Sequence, residues 1–410
     1  LSLHDALPIF VHINETCGTG SIGRLAKELS QELVKRGYDS IIAYSTLSIG
    51  FNKTYKIGGT IGKKVHSLLS RITGKQGYYS KHSTKKFISY LKEVKPDIVH
   101  IHNLHSNYIN LKILFTYLGK NDIATVITLH DCWMFTGKCT YYVPANCKKW
   151  QQECGSCPLL YIDNINKTYL FDRTRKMFND KKKLVYDLKK LTVVGVSKWV
   201  SNEAKKSFLS TKNIVPIYNW IDMNNFKPSN TDKLRYDLGI ENKFIILGVS
   251  VSWSKHKGLN DFLHLAAMLD ENYSIILVGK FISSIELPKN IIHIKHTNDI
   301  KELANYYSMA DVFINPSQYE TFGMTTAEAL SCGTPVIVYN NTASPELVGE
   351  NCGCVVEEHL GIDGIIHAVN IIKNKSKANY ADSCLSYAKI HFSKEVNSEK
   401  YIQLYKSLLM

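Results

Sequence analysis

The sequence has no apolar run approaching the ~18 residues that a membrane-spanning helix needs. Its richest stretch, Phe244-Ile245-Ile246-Leu247-Gly248-Val249, is strand-sized. Neither proline (10 of 410 residues) nor glycine (24) is abundant, which excludes a collagen. Hydrophobic residues make up 44% and charged residues 21%, which excludes a disordered chain and a disulfide-stapled mini-protein. Acidic residues are the scarcer charge, 36 against 50 basic, for a net +14. There is no RNA-recognition signature and no basic zipper, so no nucleic-acid partner is expected. Lys181-Lys182-Lys183 and Lys189-Lys190 read as a solvated face. The excess still favours something anionic, such as an acidic lipid or a phosphorylated ligand.

What is present is a chain long enough for about two to three domains at roughly 100–200 residues each. Residues 1–9, Leu1-Ser2-Leu3-His4-Asp5-Ala6-Leu7-Pro8-Ile9, resemble the conceptual translation of a sequencing-adapter oligonucleotide and are set aside. From Phe10 onward, short apolar runs alternate with amphipathic stretches. Strands are predicted at 10–14, 40–44, 97–102, 124–130 and 191–196, with helices at 22–36, 85–94 and 199–208. A proline-bearing stretch, 214–231, reads as a linker. The alternation then restarts, with strands at 244–250, 273–278, 291–294, 312–315 and 335–339 and a helical end over 384–410. The pattern predicts an α/β protein of two Rossmann-like, doubly wound domains with their ligand loops facing a cleft.

Two segments place chemistry at strand ends. Gly18-Thr19-Gly20-Ser21-Ile22-Gly23 matches a dinucleotide fingerprint between a strand and a helix. The ribose-binding acid that should end the second strand is missing, because Tyr44-Ser45-Thr46 stands there and Asp39 comes too early. A phosphate contact at Gly20 and Ser21 survives this failure, since a helix N-terminus offers free N–H groups. A tight turn that merely needs glycines is the other reading. In the second half, Glu320 lies on a loop and Glu328 one turn into a helix that starts near Gly323. Two carboxylates flanking a helix start suit a sugar diphosphate. Thr325 and Glu328 also spell a helix-capping box, which needs no ligand.

With its E-x7-E pair and intervening Phe322-Gly323, the sequence resembles a retaining, GT-B-fold glycosyltransferase of family four. Gly18-Thr19-Gly20-Ser21, Val196-Ser197, Asn219-Trp220-Ile221-Asp222, Lys257-Gly258 and Cys332-Gly333-Thr334-Pro335 support the likeness, which runs from Phe10 to the end. The resemblance implies an acceptor-side domain over 1–215, a nucleotide-sugar domain over 216–385 and a helix over 386–410 packing back on the first domain. It implies that Glu328 holds the donor ribose, Glu320 contacts the transferred sugar and Lys257 neutralises the diphosphate. Phe322, Gly323, Met324 and Thr325 complete the donor site. Many relatives carry an arginine five residues before that lysine; here Ser252 occupies the place, and Lys255 and His256 are the substitute cations.

His130 and Asp131 end a strand, and the resemblance puts the histidine near the donor sugar and acceptor. His130 would orient the sugar or stabilise charge, and Asp131 would take the acceptor's hydroxyl proton. A buried hydrogen-bonded pair is the simpler alternative. Cys139, Cys147, Cys154 and Cys157 crowd a polar insert over 136–160, and the spacing suits a structural zinc. A subset of the resembled transferases carries such an insert after the His-Asp pair. Free thiols, disulfides and an iron–sulfur cluster stay open.

The expected function is transfer of a sugar, with retention, from a nucleotide-diphosphate sugar to a hydroxyl of a glycan or lipid-linked glycan in surface polysaccharide synthesis. No catalytic metal is expected; no Asp-x-Asp motif occurs. The expected location is cytoplasmic, peripheral on the inner face of the plasma membrane. The alternatives are an epimerase of the same fold and a non-catalytic binding protein.

Overall fold

The structure is a computed structural model that describes residues 7–162, 167–282, 285–297 and 299–410. Residues 1–6 of the adapter-like segment lie outside the described residues. Ile9, set aside with them, opens the first strand and pairs with Asp39.

The chain divides into two compact units, Leu1–Ile217 with Ser398–Met410, and Tyr218–Asn397. The first unit contains β1 (Ile9–Ile13), α1 (Gly20–Lys35), β2 (Asp39–Tyr44), β3 (Thr54–Lys56), α2 (Thr60–Thr73), α3 (Lys81–Val94), β4 (Ile98–Ile101), α4 (Leu111–Lys120), β5 (Ala124–Leu129), α5 (Thr174–Tyr186), β6 (Leu191–Gly195), α6 (Lys198–Lys205) and β7 (Asn213–Pro216). Its seven strands are parallel in the order β3-β2-β1-β4-β5-β6-β7. The strand order reverses between β1 and β4, where His12 pairs in register with His100. Crevices that bind ligands form at such reversals, beyond the carboxyl ends of the strands.

The second unit contains α7 (Asp232–Asp237), β8 (Phe244–Trp253), α8 (Leu259–Met268), β9 (Tyr273–Phe281), β10 (Ile291–Ile294), α9 (Ile300–Met309), β11 (Val312–Asn315), α10 (Met324–Ser331), β12 (Val336–Tyr339), β13 (Gly353–Val356), α11 (Gly361–Lys375) and α12 (Ala378–Phe392); α13 (Lys394–Leu409) begins in it and ends in the first. Its sheet is also parallel, ordered β10-β9-β8-β11-β12-β13.

Central strands are covered on both faces and so are apolar throughout: β5 (ATVITL) and β12 (VIVY) are buried at every position. Helix α1 buries one stripe, Leu25, Ala26, Leu29 and Leu33, and stops before Gly37, whose φ of +87° suits a helix end. The segment 386–410 divides between the two units. Residues 386–397 stay in the second unit, and 398–410 belong to the first, where Tyr401 and Tyr405 meet Thr128, His100 and Phe10. The linker read at 214–231 contains most of β7. That strand is short, lies at the sheet edge and ends in Pro216, where a missing N–H is tolerated.

Candidate active site

In the second unit, β11 ends at Asn315 and the chain turns through residues 316–323 into α10. The Asn315 side chain ties the two ends of this turn. Its amide donates to Thr326 Oγ1 (3.0 Å), and its oxygen accepts from the Ser317 N–H (3.3 Å). The Glu320 N–H donates to Thr342 Oγ1 (2.8 Å), fixing the loop that carries the first acid. Lys257 ends a short 3-10 turn, and its Nζ lies 2.5 Å from Glu320 Oε1. Gly258, with φ of +75°, lets this turn press against Pro316: a Cβ would meet the proline Cγ at 2.3 Å. Lysine and glutamate are thereby held together at the start of α10. Glu328 is almost buried and accepts a 2.8 Å hydrogen bond from the Tyr307 hydroxyl, itself fully buried. Burial and the Glu328 charge push the Tyr307 phenol well above its usual range, so it stays protonated and donates to Glu328.

The capping-box reading fails. Helix α10 starts at Met324 behind Gly323, and no side chain caps it. Thr325 lies inside the helix, and a Glu328 oxygen goes to Tyr307. The first-turn N–H groups of Met324 and Thr325 are those a helix leaves without internal partners. Phe322 departs from the expectation. Its ring is buried between Tyr218 and Phe392, at 5.9 and 5.5 Å, so only its backbone can face a ligand. Lys255 is exposed at the start of the lysine turn. His256 stacks flat on Tyr319 (5.1 Å, 9°), and burial together with Lys257 lowers its pKa. It is not the substitute cation at neutral pH.

In the first unit, Gly20 and Ser21 open α1 on the exposed side, Gly20 with φ of +64°. Gly18 has another task, since a Cβ there would meet the Ile49 carbonyl at 2.1 Å. The tight-turn reading thus accounts for Gly18, while Gly20 and Ser21 keep a clear approach.

His130 is the outer member of a histidine chain. Nδ1 of His12 lies 3.2 Å from Nε2 of His102, and Nδ1 of His102 lies 3.2 Å from Nε2 of His130. The rings stack at 5.5 Å in both steps. Burial pushes His12 down to about 3 and His130 to about 4, the latter against the pull of Asp131, and it drives His102 well below its ordinary value. All three are neutral at pH 7. Nε2 of His12 is buried with no partner. A buried lone pair costs less to leave unpaired than a buried N–H. The protons therefore sit on Nδ1 throughout, each donating outward, and His130 carries Nδ1–H.

Asp131 is fully engaged. Its Oδ2 lies 2.7 Å from His105 Nε2, and its Oδ1 accepts from the Trp133 N–H (2.8 Å). Burial would raise its carboxyl, but the His105 charge and these bonds hold it below the usual range. So placed, Asp131 is a poor base and a good anchor for His105. A second acid that the sequence did not single out, Glu15, stands at the carboxyl end of β1. It pairs with Lys63 and accepts from Ser106 Oγ (2.5 Å). His12, His102, His105 and Tyr307 were also passed over. For His12 and His102 the visible signal was a polar residue in or beside an apolar strand run; His105 lies on the loop after β4 and Tyr307 inside α9, where the sequence carries no such signal.

The four insert cysteines are not gathered into a metal site. Among the described residues, the ligand atoms that lie within 4.8 Å of one another in a group of three or more belong to His12, His100 and His102. All ten cysteines are free thiols, which removes the disulfide reading. Cys139 is buried in a tight turn whose carbonyl takes the Thr136 hydroxyl. Cys154 Sγ accepts the Gly137 N–H at 3.1 Å, and Cys157 N–H goes to Asp172. Burial pushes the Cys154 thiol up to about 11 and raises Cys157, with Cys147 adding to both. Among the described residues no three of these sulfurs lie within 4.8 Å of one another, so a tetrahedral zinc site is not preformed here. Lys181 is not on a solvated face. It is buried, donates to the Trp133 carbonyl and lies 4.1 Å from the Trp133 ring centre, while Lys182 and Lys183 stay outside.

Both units are doubly wound Rossmann-like α/β units, one with two acids and a lysine at a helix start and the other with a neutral histidine at a strand end. The family described as Glycosyltransferase Family 4 matches residues 22–225, and the one described as Glycosyl transferases group 1 matches residues 230–391. The chain is a GT-B glycosyltransferase of the group 1, family-four-like kind. It is 25% identical over 329 residues to WcaC of Escherichia coli K12, whose name assigns it to colanic acid biosynthesis; the match covers 76% of this chain and 77% of that one. Its fold is similar to sucrose-phosphate synthase of Thermosynechococcus elongatus (TM-score 0.71, 15% identity, 98% and 99% of the chains). It is also similar to HepE of Anabaena, solved in complex with UDP (TM-score 0.67, 15% identity, 98% and 100%). Among the described residues, no helix is long and apolar enough to cross a membrane.

Proposed function

We propose that this glycosyltransferase moves a sugar, with retention, from a nucleotide-diphosphate sugar to a hydroxyl of a glycan or lipid-linked glycan in polysaccharide synthesis. The observation that carries this is the Lys257–Glu320 pair at the α10 start, with Glu328 one turn further on. Glu328 holds the ribose hydroxyls and Glu320 a hydroxyl of the sugar. Lys257 and the α10 N–H groups balance the diphosphate, aided by Lys255; in the first unit, Gly20 and Ser21 keep N–H groups open to an anion. As the bond from the anomeric carbon to the diphosphate breaks, its electron pair leaves with the diphosphate. The acceptor oxygen bonds to that carbon on the same face, and its proton ends on the released diphosphate. Fixed donors aimed at the leaving group can supply much of such a rate enhancement without a divalent metal. In the first unit His130, as Nδ1–H, offers a donor to a sugar hydroxyl, and Asp131 steadies His105 beside it.

WcaC supports a polysaccharide role by name, and HepE supports UDP as one nucleotide to try. The epimerase alternative draws no support from these relatives. The net +14 supports work at an anionic leaflet; co-sedimentation that ignores anionic lipid content would remove that part. The main test is thermal stabilisation by a panel of nucleotide sugars. A ligand at ~100 times its Kd adds ~2.7 kcal/mol. No stabilisation by any of them, or stabilisation that Lys257→Ala and Glu328→Ala leave untouched, would overturn the assignment.

A further inference from the structure

A cavity of about 880 Å³ opens in the first unit, where the carboxyl ends of β2 and β3 meet the starts of α2 and α3. This is the ligand-binding end of a doubly wound sheet, and the size falls within the common range for small-molecule sites. Lys56, Lys63, Lys81 and Lys86 all line it, and no aspartate or glutamate does, although acids make up 36 of the 86 Lys, Arg, Asp and Glu side chains. Among the described residues, Lys56, Lys81 and Lys86 carry no ion pair. Tyr55, stacked on Tyr90 at 4.2 Å, and Tyr79 also line it. Helix α2 starts at the same cavity, behind Gly59 and without a side-chain cap, so its N-terminal dipole adds to the positive field.

The fourth lysine connects this cavity to the reacting end of the unit. Lys63 pairs with Glu15, which also holds Ser106. Ser106 Oγ lies 3.3 Å from Asn103 Oδ1, Asn103 Nδ2 lies 3.0 Å from His105, and His105 lies 2.7 Å from Asp131. An ordinary solvated face spreads its lysines over a convex surface among acids. Here Lys56, Lys81 and Lys86 line one concavity with no acid among its lining residues, and Lys63 links it through Glu15 toward Asp131.

We propose that this cavity is the acceptor site and that the acceptor is anionic: it presents a carboxylate or phosphate group to Lys56, Lys81 and Lys86. The inference rests on the glycosyltransferase reading and deepens it by naming the acceptor's chemistry. A uronic acid of the glycan and the diphosphate of a lipid carrier would both meet the same lysines.

The test is equilibrium binding to the full chain by calorimetry, with three probes: a uronate-containing disaccharide, inorganic pyrophosphate, and a neutral disaccharide of the same size. At least one anionic probe should bind about tenfold or more tighter than the neutral one, from the magnitude of charge-assisted hydrogen bonds. The variant Lys81→Gln/Lys86→Gln should lose about tenfold of that affinity, and raised salt should weaken the wild type. Preference for the uronate assigns the charge to a sugar acid, and preference for pyrophosphate assigns it to the carrier linkage. Equal binding of all three probes, or an unaffected double variant, overturns the proposal. UDP binding is measured on the same samples. If it persists while the anionic preference fails, this inference alone falls; if UDP and the nucleotide-sugar panel also fail, the donor reading falls with it.

Discussion

Lys257 Nζ lies 2.5 Å from Glu320 Oε1, so the cation proposed for the donor phosphates is matched by the acid proposed for the sugar. Each group keeps the other in place. Under the proposed function, a diphosphate should draw the lysine away and leave the glutamate for hydroxyls. Partly exposed ion pairs contribute about 0–1 kcal/mol to stability. Lys257→Ala should therefore shift Tm by no more than about 2–4 °C. Donor kcat/KM should fall about ten- to a hundredfold, from the loss of charge-assisted contacts. Steady-state kinetics beside a melting curve checks this; a large Tm loss with intact donor kinetics would make the pair structural.

Tyr307 offers a separate handle on Glu328. Its hydroxyl fixes one oxygen of that carboxylate at 2.8 Å without reaching solvent. Tyr307→Phe keeps the ring and removes only the donor. A hydrogen bond to a charged group is worth about 1.5–3 kcal/mol. Donor KM should rise about tenfold with kcat nearly unchanged, because the carboxylate stays but loses its aim. Equal loss in kcat and kcat/KM would mean that the tyrosine acts on the transition state instead.

The sheets were legible in the sequence because strands covered on both faces become unbroken apolar runs, as at Ala124–Leu129 and Val336–Tyr339. Helix α5 was not, since its Lys181–Lys183 run looks solvated although Lys181 turns inward. The Glu320–Glu328 pair was legible because both acids lie on one short loop and helix. The histidine chain was not: His12, His102 and His130 come from the ends of three different strands and meet only when β1, β4 and β5 lie side by side. The insert cysteines mislead in the opposite sense, since close spacing along the chain did not bring their sulfurs to one point.

Lys181 predicts an unusual pH dependence. Burial lowers its pKa to about 7, far below the 10.5 of the unfolded chain. Between those values the unfolded state binds the extra proton, so this lysine makes stability rise with pH from about 7 toward 10.5. Lys181→Met keeps the stem and removes the charge. Chemical denaturation at pH 7, 8 and 9 should show a smaller rise in the variant than in the wild type. Identical slopes would mean that the ammonium reaches water.

The buried histidines act in the opposite pH range. His12 and His130, at about 3 and 4 in the folded state against 6.5 unfolded, are neutral when folded. The unfolded chain takes up their protons first, so the stability they permit is complete above pH 6.5 and is lost as the pH falls toward 4. His12→Phe removes one such proton site and should flatten the loss between pH 6.5 and 4. His102→Phe instead breaks the chain in the middle and frees Nε2 of His130, which can then take the proton that Nδ1 should carry. The lost aim is worth one neutral hydrogen bond, so kcat should drop about three- to tenfold while donor KM holds. Selective nitrogen-15 histidine spectra would read the tautomer directly: His130 as Nδ1–H in the wild type, and mixed in His102→Phe. An Nε2–H signal for His130 in the wild type would reverse the proton order along the chain and make its Nδ1 an acceptor.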